Sequence, residues 1–288
     1  MSGTRDDTLV LGAVAYDPKV VTIWDGFQRW LARHDLDLDY VLFCTYERQV
    51  AAHFAGQIDV AWNSPLAWLQ SERIAAATGR RAEAIAMRDT DCDLTSVVVV
   101  RADSGIRALA DLAGTTVGVG AGDSPQATLI PLLHLAEAGL VPGRDFRVQT
   151  FDVLVGKHGD HIGGERDAAR ALASGAVEAA CMIDANHLGF AKDGTLRAGA
   201  TRILAQTAPY DHCVFTVLDG VPARPLARFR ELLLSMSYDD PEVRLLLELE
   251  GLRQWRPGRT EQHALLRRAV ERFGTIDDFV ASIADRHG

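Results

Sequence analysis

Four histidines follow predicted strands, which is where an α/β protein usually carries its chemistry. His158 and His161 flank Asp160 in one glycine-rich loop, and His187 and His212 lie near later strands whose ends are expected to approach one cleft. Neutral imidazoles and carboxylates bind metal ions and transfer protons near neutral pH. The pattern suggests a metal or acid–base site, although HxDH matches no established metal motif and such side chains also cap loops.

Two predicted strand-to-helix junctions offer a place for an anion, because the first turn of a helix has free N–H groups and a partial positive charge. At the first junction, Ser64 suits the N-cap and Pro65 the first helical position. The second is the glycine-rich segment 118–128, where Ser124 precedes a helix predicted to end at Glu137. Both also fit an ordinary cap and an ordinary βα connection. The spacing GxGxG is no dinucleotide fingerprint, and no P-loop lysine is present.

Short β-rich runs alternate with amphipathic helical stretches along the chain, which predicts βα units and mainly parallel sheets. A helix, a capping glycine and a buried strand occur twice, in HFAGQIDVAW and in ALASGAVEAAC. We therefore expect two similar lobes, joined near Leu94–Arg101 and again near Cys213–Leu218. The helices of 223–284 are amphipathic, and we expect them to pack on the outer surface of the first lobe. The predicted boundaries are 1–100 plus 206–288 for the first lobe and 101–205 for the second.

The composition is that of a globular protein, with 48% hydrophobic and 24% charged residues among 288. A net charge of −9 argues against nucleic acid or an anionic membrane surface as the partner. No apolar stretch approaches the roughly 20 residues of a membrane span. The polar segment Met1–Thr8 shows no secretory signal, so we expect a cytoplasmic protein unless a leader was trimmed. Four cysteines without CxxC spacing indicate reduced thiols.

Four segments carry a family resemblance: YDP near the start, TYERQVAAHFAGQIDVAWNSPLAWL, SVVVVRADSGIRALADLAGTTVGVGAGDSPQATLIPLLHLAEAGLVPGRDF and LASGAVEAACMID. Over residues 8–220 the chain resembles the phosphonate-binding branch of the periplasmic solute-binding proteins. The resemblance implies an α/β, two-lobed periplasmic-binding-protein type 2 fold with a hinge and a ligand cleft between the lobes. It also implies a phosphonate, a phosphite or a similar small oxyanion as the ligand.

The resemblance further implies which side chains contact the ligand. Matched by motif, they are Tyr16, Tyr46, Asn63, Ser64, Ser124, Gln126, Thr128 and Asp184. The four histidines described at the start of this subsection are further candidate contacts: His158, His161, His187 and His212. The chain departs from the family in two loops. Loop 123–126 lacks the family's usual serines and threonines, and loop 156–165 looks longer and richer in histidine.

Two functions of different classes remain open from the sequence. The leading one is a binding protein that closes on a small anionic ligand without cofactor or turnover, and that needs an ABC permease if it is exported. The alternative is a cytoplasmic enzyme on the same fold, such as a lyase, decarboxylase, desulfinase or cofactor-precursor enzyme. It would use His158, His161 and His187, with iron or zinc held by His158, Asp160 and His161. A cytoplasmic sensor is a third option.

Overall fold

The computed structural model describes residues 8–152, 162–274 and 276–287. These residues form two compact units, each built around its own sheet. The chain leaves the first unit after Cys92 and re-enters it after Tyr210. The described residues are 8–92, 211–261 and 276–287 in the first unit, and 93–152, 162–210 and 262–274 in the second.

The first unit has a six-stranded sheet with helices packed against it. Its strands are β1 (Leu9–Val14), β2 (Leu38–Phe43), β3 (Val60–Asn63), β4 (Ala82–Arg88), β10 (Val214–Leu218) and β11 (Trp255–Pro257). Its helices are α1 (Lys19–Ala32), α2 (Tyr46–Phe54), α3 (Pro65–Ala77), α7 (Ala223–Ser235), α8 (Pro241–Glu250) and α10 (Asp277–His287). The strand order is β11-β4-β10-β3-β1-β2.

The second unit has a five-stranded sheet. Its strands are β5 (Ser96–Arg101), β6 (Thr116–Val119), β7 (Arg147–Thr150), β8 (Ala179–Ile183) and β9 (Thr201–Gln206), in the order β7-β6-β8-β5-β9. Its helices are α4 (Ile130–Glu137), α5 (Ile162–Ser174), α6 (Asp184–Lys192) and α9 (Ala264–Phe273). The four valines of β5 are buried, because this strand lies between β8 and β9 and has helices on both faces of the sheet.

An aromatic cluster fills the core of the first unit. Trp62, Phe215 and Trp255 lie within 4.6 to 5.7 Å of one another, measured between ring centroids. Trp24 and Phe27 of α1 pack against the same cluster, three residues apart on the apolar face of the helix. The spacing of aromatic residues in α1 therefore marks core positions.

The expectation of mainly parallel sheets is wrong. β10 is antiparallel to both β3 and β4, and β5 is antiparallel to both β8 and β9. Each of these two strands enters its sheet directly after the chain has crossed from the other unit. It starts at the edge where the parallel strands end, and it must therefore run against them.

The C-terminal helices divide between the two units. α9 packs on α4 of the second unit, and Arg268 donates to Glu137 there at 3.2 Å. α10 packs on α3 of the first unit. The amphipathic pattern over 223–284 predicts that all of these helices pack on the first lobe, but α9 packs on the second unit. Such a pattern shows that a helix has a buried face but does not say which surface covers it. Within the described residues, no helix is both long and apolar enough to cross a membrane.

Gly189 is the one residue of α6 at which we expect a substitution to stabilise the protein. A Cβ at this position would meet no atom of the described residues within 4 Å, and glycine in a helix costs about 0.5–1 kcal/mol relative to alanine. Gly189→Ala should raise the free energy of unfolding by that amount in urea titrations. Gly56→Ala is the control with the opposite sign, since Gly56 ends α2 at a φ of +68°. A loss of stability in Gly189→Ala would contradict the expectation.

Candidate functional site

One edge of the first sheet gathers several of the predicted contacts. β1, β2 and β3 are parallel and end there, and β10 begins there. Tyr16 follows β1, Tyr46 begins α2 after β2, and Ser64 follows β3. Tyr46 is buried, and Tyr16 is half-buried with the ammonium of Lys19 5.7 Å from its ring centre. The edge therefore brings polar groups from three strand ends to the same side of the sheet.

Ser64 begins α3 as its N-cap. Its Oγ accepts a hydrogen bond from the Ala67 N–H at 3.2 Å, and its carbonyl accepts one from Trp68 N–H at 2.9 Å. Pro65 occupies the first helical position, where no N–H is needed. The sequence signal for this helix start is confirmed because a cap is a local interaction, set by neighbouring residues.

Asn63 has a supporting role in the structure. Its Oδ1 accepts from Gln49 Nε2 at 2.8 Å, and its Nδ2 donates to Thr216 Oγ1 at 2.9 Å and towards Ser71 Oγ at 3.4 Å. All four residues are fully buried. The cluster ties β3 to α2, α3 and β10, and so fixes the position of Ser64. Sequence reasoning missed the three partners of Asn63; the only local signal is a glutamine on the apolar face of α2.

Ser124 is the corresponding residue of the second unit. Its Oγ accepts from Ala127 N–H at 3.2 Å, and its carbonyl accepts from Thr128 N–H and Leu129 N–H. The first turn, Pro125–Leu129, is a π turn that leads into α4, and the helix ends at Glu137 as predicted. A π turn widens the start of a helix and is frequent at functional sites.

The glycine-rich loop before Ser124 closes on this turn. Gly120 N–H donates to the Ala127 carbonyl at 3.3 Å, and Thr128 Oγ1 donates to the Ala121 carbonyl at 2.7 Å. A Cβ at Gly120 would lie 2.8 Å from Ala127 Cβ, so no larger residue fits without a shift. The Thr128 side chain thus holds the loop, and glycine is required at position 120 by close approach.

Ser96 and Tyr210 form hydrogen bonds that hold the start of the second helix in place. Ser96 Oγ donates to the Gln126 carbonyl at 2.5 Å and lies 2.6 Å from Tyr210 Oη. Burial raises the pKa of the Tyr210 phenol above its ordinary value, so the hydroxyl stays protonated. Neither residue stood out in the sequence, where a serine opening a valine run is the only signal.

Asp184 and His187 both lie on α6 of the second unit. Asp184 Oδ2 accepts from Thr95 Oγ1 at 2.9 Å, at the edge where β8 ends and β5 begins. His187 Nε2 lies 2.9 Å from Thr201 Oγ1, and burial lowers the pKa of its imidazole. His212 belongs to the first unit. The expected convergence of the histidines on one cleft stays a prediction, because His158, Asp160 and His161 lie outside the described residues.

His212 belongs to a buried charged cluster. Arg88 donates to both carboxylate oxygens of Asp91, at 2.5 and 3.0 Å, and to the Glu250 carbonyl at 2.9 Å. His212 Nδ1 lies 3.3 Å from Asp91 Oδ1 and 3.1 Å from Cys213 Sγ. Burial alone would raise the pKa of Asp91, but the charge of Arg88 and the hydrogen bonds of His212 and Arg88 lower it to about 2. Sequence reasoning found only the histidine of this cluster.

Comparison with solved structures shows the same fold in three proteins of low sequence identity. PhnD1 from Prochlorococcus marinus (MIT 9301), solved with methylphosphonate, has a TM-score of 0.69 and 16% identity over 94% of this chain and 100% of its own. XAC2383 from Xanthomonas citri, solved with chloride, has a TM-score of 0.65 and 17% identity, over 97% of this chain and 99% of its own. A binding protein of an ABC phosphonate transporter from Pseudomonas aeruginosa has a TM-score of 0.62 and 13% identity, over 98% of each chain. The predicted two-lobed, type 2 periplasmic-binding fold is confirmed.

The family itself is identified by a family model. The model describes the periplasmic substrate-binding protein of phosphonate ABC transporters, and it matches residues 13–263. This range contains every predicted contact residue and both helix starts. The chain therefore belongs to the family of periplasmic phosphonate-binding proteins of ABC transporters.

Proposed function

We propose that this protein binds a small oxyanion of the phosphonate type as the substrate-binding component of an ABC transporter, with the transporter's permease as its partner. The observation that carries the proposal is the pair of serine-capped helix starts, Ser64 and Ser124, each at the strand-end edge of its sheet. The family match supports a binding function and favours it over the enzyme alternative. The family is described as periplasmic, so the comparisons give the cytoplasmic prediction no support.

Backbone amides at these helix starts would hold the anion. A helix N-terminus presents N–H groups and a partial positive charge, which stabilise an oxyanion without a lysine. This fits a chain of net charge −9, because the attraction is local and needs no basic surface. In the second unit, Gln126 lies in the first turn and Thr128 fixes the glycine-rich loop. Asn63 would act through Ser64, by holding it in place.

The remaining predicted contacts are part of the proposal. Tyr16 and Tyr46 would supply hydroxyl donors in the first unit, and Asp184 would accept from a protonated ligand oxygen in the second. His187 and His212 stay candidates for the same contacts. The comparisons give no support to iron or zinc held by His158, Asp160 and His161.

A titration against matched charged and neutral ligands tests the proposal. By isothermal calorimetry, methylphosphonate should bind with a dissociation constant of about 1 µM or tighter, equivalent to about −8 kcal/mol. Its neutral dimethyl ester keeps the phosphonate group but carries no charge, and it should bind at least about 100-fold more weakly. Phosphite and methanesulfonate define which oxyanion is preferred. Equal binding of the acid and its ester, or no heat from any of the three oxyanions, would overturn the proposal.

A further inference from the structure

Three side chains of the first unit present potential metal ligands to a common point. Asp91, His212 and Cys213 each offer one ligand atom, and these atoms all lie within 4.8 Å of one another. The exposed fractions of the three residues are 2%, 5% and 1%. The backbone holds them together, because His212 N–H donates to the Asp91 carbonyl at 2.9 Å and Cys213 follows directly in the chain. Of the three, only His212 is also a candidate for contact with the oxyanion.

A carboxylate, an imidazole and a thiolate form a ligand set that zinc prefers. Zinc binds such atoms at about 2.0–2.3 Å, so neighbouring ligand atoms in a tetrahedral site lie roughly 3.3–3.7 Å apart. Two of the three separations are close to this range, at 3.3 Å from His212 Nδ1 to Asp91 Oδ1 and 3.1 Å from His212 Nδ1 to Cys213 Sγ. We propose that Asp91, His212 and Cys213 bind a zinc ion, with the fourth position left for water or another ligand.

Arg88 and Glu250 complete the surroundings of this zinc site. Arg88 forms a fork with the carboxylate of Asp91, which fixes its orientation as outer-shell partners of metal ligands do. Arg88 also donates to the Glu250 carbonyl at 2.9 Å, which ties Asp91 to the end of α8. Zinc is titrated in the absence of any oxyanion, so the two kinds of ligand can be tested separately.

Zinc and cobalt titrations of the full chain, purified without a histidine tag and stripped with a chelator, test this site. We expect one equivalent of zinc to bind with a dissociation constant of about 1 µM or tighter, measured against a chromophoric chelator. Cobalt should give an absorption band from sulfur-to-metal charge transfer, which reports thiolate ligation without any substitution. Zinc should also raise the Tm.

Two substitutions and two controls identify the ligands. Cys213→Ser and His212→Gln should each weaken zinc binding at least about 100-fold, and Cys213→Ser should remove the cobalt band. Cys44→Ala and Cys181→Ala change an exposed and a buried thiol elsewhere, and should leave both readings unchanged. Circular dichroism and the Tm of the metal-free Cys213→Ser protein show that this variant is folded. No zinc binding, no cobalt–sulfur band, or equal affinity in Cys213→Ser would overturn the site, whatever the outcome for oxyanions.

Discussion

Ser124→Asp should weaken methylphosphonate binding at least about 100-fold, whereas Ser124→Asn should stay within about 10-fold of the unchanged protein. Aspartate and asparagine both cap helices well, so each retains a side-chain oxygen for the Ala127 N–H. They differ in charge. Two like charges about 4 Å apart repel by about 4 kcal/mol at an effective dielectric constant of about 20, and only the aspartate meets the oxyanion with this repulsion. Calorimetric titration of both variants measures the difference.

The same pair of substitutions at Ser64 tests the first unit independently. Ser64→Asp should lose binding and Ser64→Asn should keep it, for the same reason. Circular dichroism and Tm must first show that each aspartate variant is folded, because both serines are fully buried. If the aspartate and asparagine variants of one serine bind equally well, that helix start does not contact the ligand. The proposed function would then depend on the other start alone.

In the metal-free protein, Arg88→Met should lower the free energy of unfolding by about 3–5 kcal/mol, because it leaves the Asp91 carboxylate buried without the charge of Arg88. The side chains of Arg88 and Asp91 are only 19% and 3% exposed, so water screens the lost interaction little. Methionine keeps an unbranched apolar side chain at this position, but it loses the guanidinium, whose carbon lies 5.3 Å from the centre of the Trp62 ring. The substitution therefore removes mainly charge and hydrogen bonds. Chemical denaturation monitored by tryptophan fluorescence gives the value.

Two comparisons establish the cause of that loss. Arg33→Ala breaks an exposed ion pair with Glu242, whose side chains are 55% and 58% exposed, and should cost no more than about 0.5 kcal/mol. Removing both charges in Arg88→Met with Asp91→Asn should cost less than the sum of the single changes, because neither variant group is then a buried unpaired charge. Additive single effects, or a loss below about 1 kcal/mol in Arg88→Met, would contradict the argument.

The acid dependence of stability should follow from the same pair. The folded pKa of Asp91 is lowered from 3.8 to about 2, so its contribution is fully present above pH 3.8 and is lost as the pH falls through 2. The shift corresponds to about 2 kcal/mol. Since the charge of Arg88 is a main cause of the lowered pKa, this acid-dependent loss should shrink in Arg88→Met. An unchanged profile would mean that another group dominates acid unfolding.

The order of helices and strands, the family and the two helix starts are determined by the sequence alone. Ser64 and Ser124 could be found because a cap, a proline in the first turn and a preceding strand are all local signals, set within a few residues. The alternation of β-rich runs with amphipathic helical stretches predicts the α/β class for the same reason, because it too is a local pattern. The resemblance extended this to the type 2 fold, since it compares whole segments.

Only the tertiary structure decided which distant residues meet. Asn63 and Thr216 are 153 residues apart, and Arg88 meets Glu250 across 162 residues. Neither pairing leaves a periodic trace, because a buried polar contact depends on the register of two strands or on the packing of a helix end. The antiparallel β5 and β10, the placement of α9 and the Asp91–His212–Cys213 cluster were hidden for this reason. Each depends on where the chain re-enters a sheet, which no local pattern encodes.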